Sequence, residues 1–152
     1  EKATKAQLKA LSPNEYLRIN RSVSSDELVQ IYNKADIALH VESFDKKYRF
    51  ATRVSFSTKI IDLMASSCAI MAICWDKHAG YQYLKKHDAA ICVADVDGIK
   101  PELVRIVYNP ELIKNYAMKA WSCGKQNHQK EQVQAQIMRV FETVINDKLY
   151  IC

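Results

Sequence analysis

Glycine and proline are scarce in this chain, at three of each in 152 residues. No low-complexity segment or internal repeat accompanies them, which excludes a flexible linker and a repeat array. Metal-ligand spacings are missing as well. The four histidines, His40, His78, His87 and His128, fall into no H-E-x-x-H or similar pattern, so the sequence predicts no structural metal. No two cysteines stand in C-x-x-C spacing, and their number is odd: Cys68, Cys74, Cys92, Cys123 and Cys152. Three of them fall inside apolar runs, which reads as reduced, buried thiols of a cytoplasmic protein rather than a disulfide framework. No run approaches the roughly 18 apolar residues of a membrane span. The opening "EKATKAQLKALS" is no signal peptide, lacks an initiator methionine and starts in helical character. It reads as the start of a fragment of a longer protein.

What is present is the mixture of an ordinary globular domain, 49% apolar and 26% charged, enough for one core in residues 1–152. The net charge of +5 is mild, and its lysines are spread in pairs such as Lys46–Lys47 and Lys85–Lys86. A nucleic-acid binder gathers basic residues on one patch, so no nucleic-acid partner is expected.

Along the chain, residues 1–11 are weakly helical and "YLRINRSV" (16–23) alternates like a strand. Ser24 and Glu27 form a capping box, followed by an amphipathic helix through Leu28, Ile31, Tyr32 and Ala35. "DIALHV" (36–41), "CAIMAICW" (68–75) and "AAICVAD" (89–95) are short apolar runs of the buried-strand kind. Residues 42–56 read as a polar loop with aromatic residues and a basic "DKKYRF" segment. Helices are predicted from Thr58, over 78–87, over 98–108, from Pro110, and over about 128–147 with a stripe of Val133, Ile137, Val140, Phe141 and Val144. Residues 109–147 thus form the C-terminal helices, with Tyr116 and Trp121 expected in the core. Helices alternating with apolar strands predict a parallel sheet covered on both faces, an α/β fold of Rossmann-like kind. Its three apolar strands should be parallel neighbours.

One helix start carries chemistry. "VSFSTKIIDLMASS" (54–67) places Ser57, Thr58 and Lys59 where a helix begins, with Asp62 one turn on. Thr58, Lys59, Asp62 and Ser66 share an arc of about 100°, with Ile60, Ile61, Leu63, Met64 and Ala65 turned to the core. Ser57 is the expected N-cap. Free N–H groups and the helix dipole favour an anion at such a terminus, and Lys59 adds a full charge. Asp62 points back toward anything docked there, in the manner of acids that hold ribose hydroxyls. The plain alternative is a capped packing helix with a solvated lysine and aspartate. In a parallel sheet, ligands bind beyond the carboxyl ends of the strands, and the 42–56 segment leads from such an end into this helix.

The order of parts resembles the donor-binding, C-terminal half of GT-B glycosyltransferases of the retaining, glycogen-synthase-like superfamily. The segments that carry the resemblance are "DELVQIYNKADIALHVES", "STKIIDLMASSCAIMAI", "YQYLKKHDAAICVAD" and "NPELIKNYAMKA". It covers nearly the whole chain from about residue 16. The resemblance implies a GT-B C-terminal domain lacking its first strands, with the acceptor domain of the same polypeptide absent. Ser43 matches the serine after the family's strand, Thr58 and Lys59 lie where that family meets the donor diphosphate, and Asp62 matches the glutamate that holds the ribose. The family's second glutamate, which contacts the donor sugar, is replaced by Val54, with Arg53 or Glu42 nearby as substitutes. Ser67 and Ala69 replace a glycine and a proline. The activity implied is transfer of a sugar from a nucleotide-diphosphate sugar to an acceptor hydroxyl in bacterial surface polysaccharide or glycoconjugate synthesis. It needs no cofactor or metal, and the full-length protein would associate peripherally with a membrane. The expected donor site is therefore Ser43, Arg53, Ser57, Thr58, Lys59 and Asp62, with no catalytic residue assigned. The 152 residues alone are expected to be inactive. Two other functions suit the same pattern: a nucleotide-sugar epimerase, which would act with no acceptor present, and a non-catalytic module, which would bind no nucleotide.

Overall fold

Ala69–Ile73 is a run of five apolar side chains, and a strand made of it must be covered on both faces. In the computed structural model, which describes residues 15–149 and side chains through residue 146, it is the middle strand, β2, of a three-stranded sheet of order β1-β2-β3. Strand β1 is Ile37–Val41 and β3 is Ile91–Val93. Both pair with β2 in parallel, Ile37 opposite Ala69 and Met71 opposite Ile91. The three strands are the parallel neighbours the apolar runs predict. The expected helix over 1–11 and Cys152 lie outside the described residues.

Seven helices accompany the sheet among the described residues. They are α1 (Ser25–Tyr32), α2 (Lys46–Thr52), α3 (Lys59–Ala65), α4 (Ala79–Lys86), α5 (Ile99–Val107), α6 (Pro110–Asn127) and α7 (Lys130–Leu149). Period-two geometry divides β2 between two layers. Ile70 and Ala72 pack with Ile60, Leu63 and Met64 of α3, Tyr81 and Leu84 of α4, and Ala120 and Cys123 of α6. Met71 and Ile73 pack with Ile91, Val93, Ile106 of α5, and Leu112, Ile113 and Tyr116 of α6. The fold is α/β with helices on both faces of the sheet. Gly124 lets α6 approach α3 closely, because a Cβ there would stand 2.9 Å from Met64 Cβ.

Local signals act as their chemistry requires. Ser24 and Glu27 make the capping box of α1, with Glu27 Oε2 accepting from Ser24 N at 2.8 Å. Asn109 caps α6, its side chain accepting from Leu112 N at 3.2 Å, with Pro110 in the first turn. Asp88 takes φ 48 just after α4, a left-handed conformation that aspartate tolerates.

Several expectations are corrected. Residues 16–23 form no strand and run as irregular chain. Residues 42–56 are not all loop: Asp45 caps α2, its Oδ1 accepting from Lys47 N at 2.9 Å. Strand β1 is covered fully on one face and only at Ile37 on the other, leaving Leu39 56% and Val41 58% exposed. Ile61 and Ala65 face outward on α3, and Ser66 is buried. The stripe predicted on α7 is present and lies largely in solvent: Val133 is half-buried, and Ile137, Val140, Phe141 and Val144 are exposed. Tyr116 is half-buried, as core packing requires, but Trp121 is 50% exposed. It carries Lys125 Nζ 4.8 Å from its ring centroid and lines a surface cleft with Ile61 and Met64. No helix among the described residues is long and apolar enough to cross a membrane.

Candidate functional site at the carboxyl end of the sheet

The segment leaving β1 is shaped by its own polar side chains. Ser43 Oγ accepts from Asp45 N at 3.1 Å, and Asp45 then starts α2. Helix α2 leans on Trp75, just past the end of β2: the Arg49 guanidinium lies 5.4 Å from that ring's centroid and Phe50 meets it edge-on at 6.2 Å. Arg53 follows α2, its carbonyl accepting from Ala79 N at 2.9 Å. That bond ties the segment to the start of α4. The chain then returns to begin α3.

The N-cap residue of α3 is Thr58, not Ser57, and no side chain caps the helix. Ser57 and Thr58 instead accept from Ile60 N and Ile61 N through their backbone carbonyls, at 3.0 and 3.1 Å. Burial of Ile60, Leu63 and Met64 decides the helix's rotation and leaves Lys59 and Asp62 outward. Ser66 is withdrawn from the outer arc because its hydroxyl donates to Leu63 O at 2.6 Å and accepts from Cys68 N at 3.2 Å.

Two clefts adjoin α3. One, of about 280 Å³, lies at the carboxyl end of β1 and brings Ser57 and Lys59 together with His40, Val41 and Glu42. The other, of about 270 Å³, lies between α1 and α3 and is lined by Asp62, Asn33 and Ser66. Tyr32 borders both. Of the six residues expected from the sequence, the fold therefore gathers Ser57 and Lys59 in one cleft and places Asp62 in its neighbour. Thr58 is exposed at the helix start, Ser43 is engaged in its local turn, and Arg53 is exposed beside α4; none of the three lines these clefts.

Beneath the first cleft is a group the sequence reading did not assemble. His40 is the fourth residue of β1, Cys74 follows β2, and His78 is the N-cap of α4. Their ligand atoms lie within 4.8 Å of one another, and all three residues are buried. They are the one such group among the described residues. His78 Nδ1 accepts from Gly80 N at 3.1 Å. The Nε2 atoms of His40 and His78 are buried with no hydrogen-bond partner. Burial lowers the His40 pKa, with His78 and Lys59 acting in the same direction and Glu42 opposing them. Burial pushes the Cys74 thiol up to about 12, assisted by Cys92 and Glu42. The available signals were the Cys74–His78 separation of four residues and a histidine inside an apolar strand, both too common to single out.

Comparison with protein-family models, with curated proteins and with solved structures gives no match.

Proposed function

We propose that the chain is the donor-binding half of a nucleotide-sugar-dependent glycosyltransferase of the GT-B kind. The observation that carries the reading is the cleft at the carboxyl end of β1, where Ser57 and Lys59 meet at a helix start that no side chain caps. A diphosphate in that cleft would meet the Lys59 ammonium and the positive end of α3. As the sugar leaves, negative charge grows on the diphosphate, and a fixed cation there lowers the barrier. Asp62 lines the adjoining cleft across Tyr32, and in this reading its carboxylate accepts from the ribose hydroxyls. Val54, which stands where the family has its donor-sugar glutamate, is 84% exposed and makes no substitute for it. The reaction is transfer of the sugar to an acceptor hydroxyl bound by another domain of the same polypeptide, in cytoplasmic synthesis of bacterial surface polysaccharide or glycoconjugate. The leaving-group chemistry asks for no metal.

The test is calorimetry of uridine and guanosine diphosphates on the 152-residue chain, on Lys59→Met and on Asp62→Asn. Each substitution should weaken binding by about 1.5–3 kcal/mol, the range for hydrogen bonds to a charged group. Both residues are exposed, so thermal midpoints should hold. Parent-like binding by both variants would reduce the helix start to an ordinary one. With the acceptor domain present, Lys59→Met should also slow turnover by about 2–4 kcal/mol, whereas Asp62→Asn should act mainly on affinity. The 152-residue chain by itself should transfer no sugar.

A second reading has its own observation. Helix α7 exposes Ile137, Met138, Val140, Phe141, Val144 and Ile145, a surface that suits a protein-binding module. On that reading the same calorimetry gives no nucleotide heat at all.

A further inference from the structure

We propose that His40, Cys74 and His78 bind one thiophilic metal ion, Zn²⁺ or Cu⁺, at the carboxyl ends of β1 and β2. Three elements converge to make the group. Parallel pairing sets His40 opposite Ala72 and Val41 opposite Ile73, so the chain leaving β2 passes Cys74 beside the end of β1. His78 is held there as the N-cap of α4. Gly80 lets the start of α4 sit close against the group, since a Cβ at that position would stand 2.7 Å from Ile60 Cδ1 and 3.3 Å from both His40 Nε2 and His78 Nδ1.

The separation fits a common ion. With metal–nitrogen and metal–sulfur bonds of about 2.0–2.3 Å, tetrahedral ligand atoms lie roughly 3.3–3.8 Å apart. Atoms already within 4.8 Å need only small side-chain rotations to reach that arrangement. The residues are 4%, 0% and 2% exposed, and both Nε2 atoms lack a partner. A buried nitrogen without a hydrogen bond carries a desolvation penalty that a metal bond would remove.

The proton balance is definite. In the free protein His78 Nδ1 accepts from Gly80 N, so the ring proton sits on Nε2. Coordination through Nε2 would move that proton to Nδ1, and coordination through Nδ1 would leave it on Nε2; either way Gly80 N–H loses its acceptor. The Cys74 thiol gives its proton to solvent. Two neutral imidazoles and a thiolate then carry one negative charge. Cu⁺ makes the site neutral. Zn²⁺ leaves one positive charge, which the Glu42 carboxylate is placed to balance, since its charge acts on both His40 and Cys74. Lys59, which also acts on His40, opposes the added cation, and Cys92 is the remaining group that acts on Cys74. Because a thiol must lose its proton to bind a metal, loading should release one proton per chain to solvent. The inference does not depend on nucleotide binding.

The experiment titrates the 152-residue chain with Co²⁺, a spectroscopic stand-in for Zn²⁺, then displaces it with Zn²⁺, and in a separate anaerobic arm adds Cu⁺ against a chromophoric chelator. One ion per chain is expected, with a sulfur-to-cobalt band that disappears in Cys74→Ser and persists in Cys92→Ser. His40→Gln and His78→Gln should each weaken binding about tenfold or more, since even groups outside the ligand sphere cost that much. Two readouts on the parent protein need no variant to fold. The Gly80 amide resonance should shift on loading, and the thermal midpoint should rise, as it does when a ligand binds the folded state. Three results would each overturn the proposal: no ion bound more tightly than about 1 μM in either arm, a sulfur band that survives in Cys74→Ser, or a midpoint that falls on loading because only unfolded thiols bind. The two arms decide between Zn²⁺ and Cu⁺.

Discussion

His40 is placed by two requirements that conflict. Its position in β1 faces the layer of Ala38 and Ile60, and that burial opposes a charge on the ring. Above pH 6.5, its ordinary value, the ring is neutral in both the folded and the unfolded chain, and nothing is lost. Below that value the unfolded chain takes up a proton that the folded one refuses, so stability falls as the pH drops toward the lowered folded pKa. His128 acts in the same sense, its pKa lowered by burial and then by His87, while its Nε2 lies 2.8 Å from Tyr83 Oη. The metal-free chain should therefore unfold at a lower temperature at pH 5.5 than at pH 7.5. In His40→Gln that slope should be shallower, read from thermal midpoints across the range. A slope unchanged in the variant would place the titrating groups elsewhere. Nothing in the sequence announced this, because burial of one strand residue depends on which face of β1 is covered.

At the scale of elements, the apolar runs identified all three strands because a run as short as Ala69–Ile73, set between helical patterns, suits a buried strand better than a helix. The capping signals of α1 and α6 were equally legible, since Ser24–Glu27 and Asn109–Pro110 act within one turn. Helix α2 was not, because seven residues show too little periodicity. Residues 16–23 alternate as a strand does, but they take no strand conformation, and alternation over so short a stretch is a weak signal. The reach of α3 into the site was half legible. Its apolar spacing predicted that Lys59 and Asp62 face outward, but their division between two clefts depends on α1 and Tyr32, which only the fold brings there. The packing of α3 on α6 gives a sharper test. A methyl group at Gly124 would meet Met64 Cβ at 2.9 Å, an atom fixed to the helix backbone rather than the end of a flexible chain. Gly124→Ala should therefore destabilise by about 1–3 kcal/mol by overpacking, despite the better helix propensity of alanine. Chemical denaturation would show it. Neutral or improved stability would mean that α3 and α6 are not held at this distance.

The whole molecule distributes its apolar residues unevenly, and that distribution can be tested directly. The sheet and the helices that cover it hold a core in which Ile60, Met64, Ile70, Met71, Leu84 and Ile91 are fully buried. Outside it, Leu39 and Val41 lie on the partly covered face of β1, and α7 presents Ile137, Phe141 and Val144 to solvent. Periodicity makes the two groups look alike, because a stripe on a helix says that a face is apolar and says nothing of what lies opposite. That is why the stripe of α7 is legible in the sequence and its exposure is not. The two groups should respond oppositely to substitution. Ile70→Ala removes a side chain packed between β2 and the helices of one face, and it should cost about 2–5 kcal/mol through lost transfer energy and a cavity. Ile137→Gln with Phe141→Gln removes far more apolar surface, but from positions 49% and 58% exposed. Stability should stay within about 0.5 kcal/mol of the parent, the usual range for surface changes. Urea denaturation of both variants at one protein concentration checks the pair. A loss above about 1 kcal/mol in the α7 variant would show that the helix buries its stripe in the folded chain, and the uncovered surface offered to a protein partner would then vanish with it.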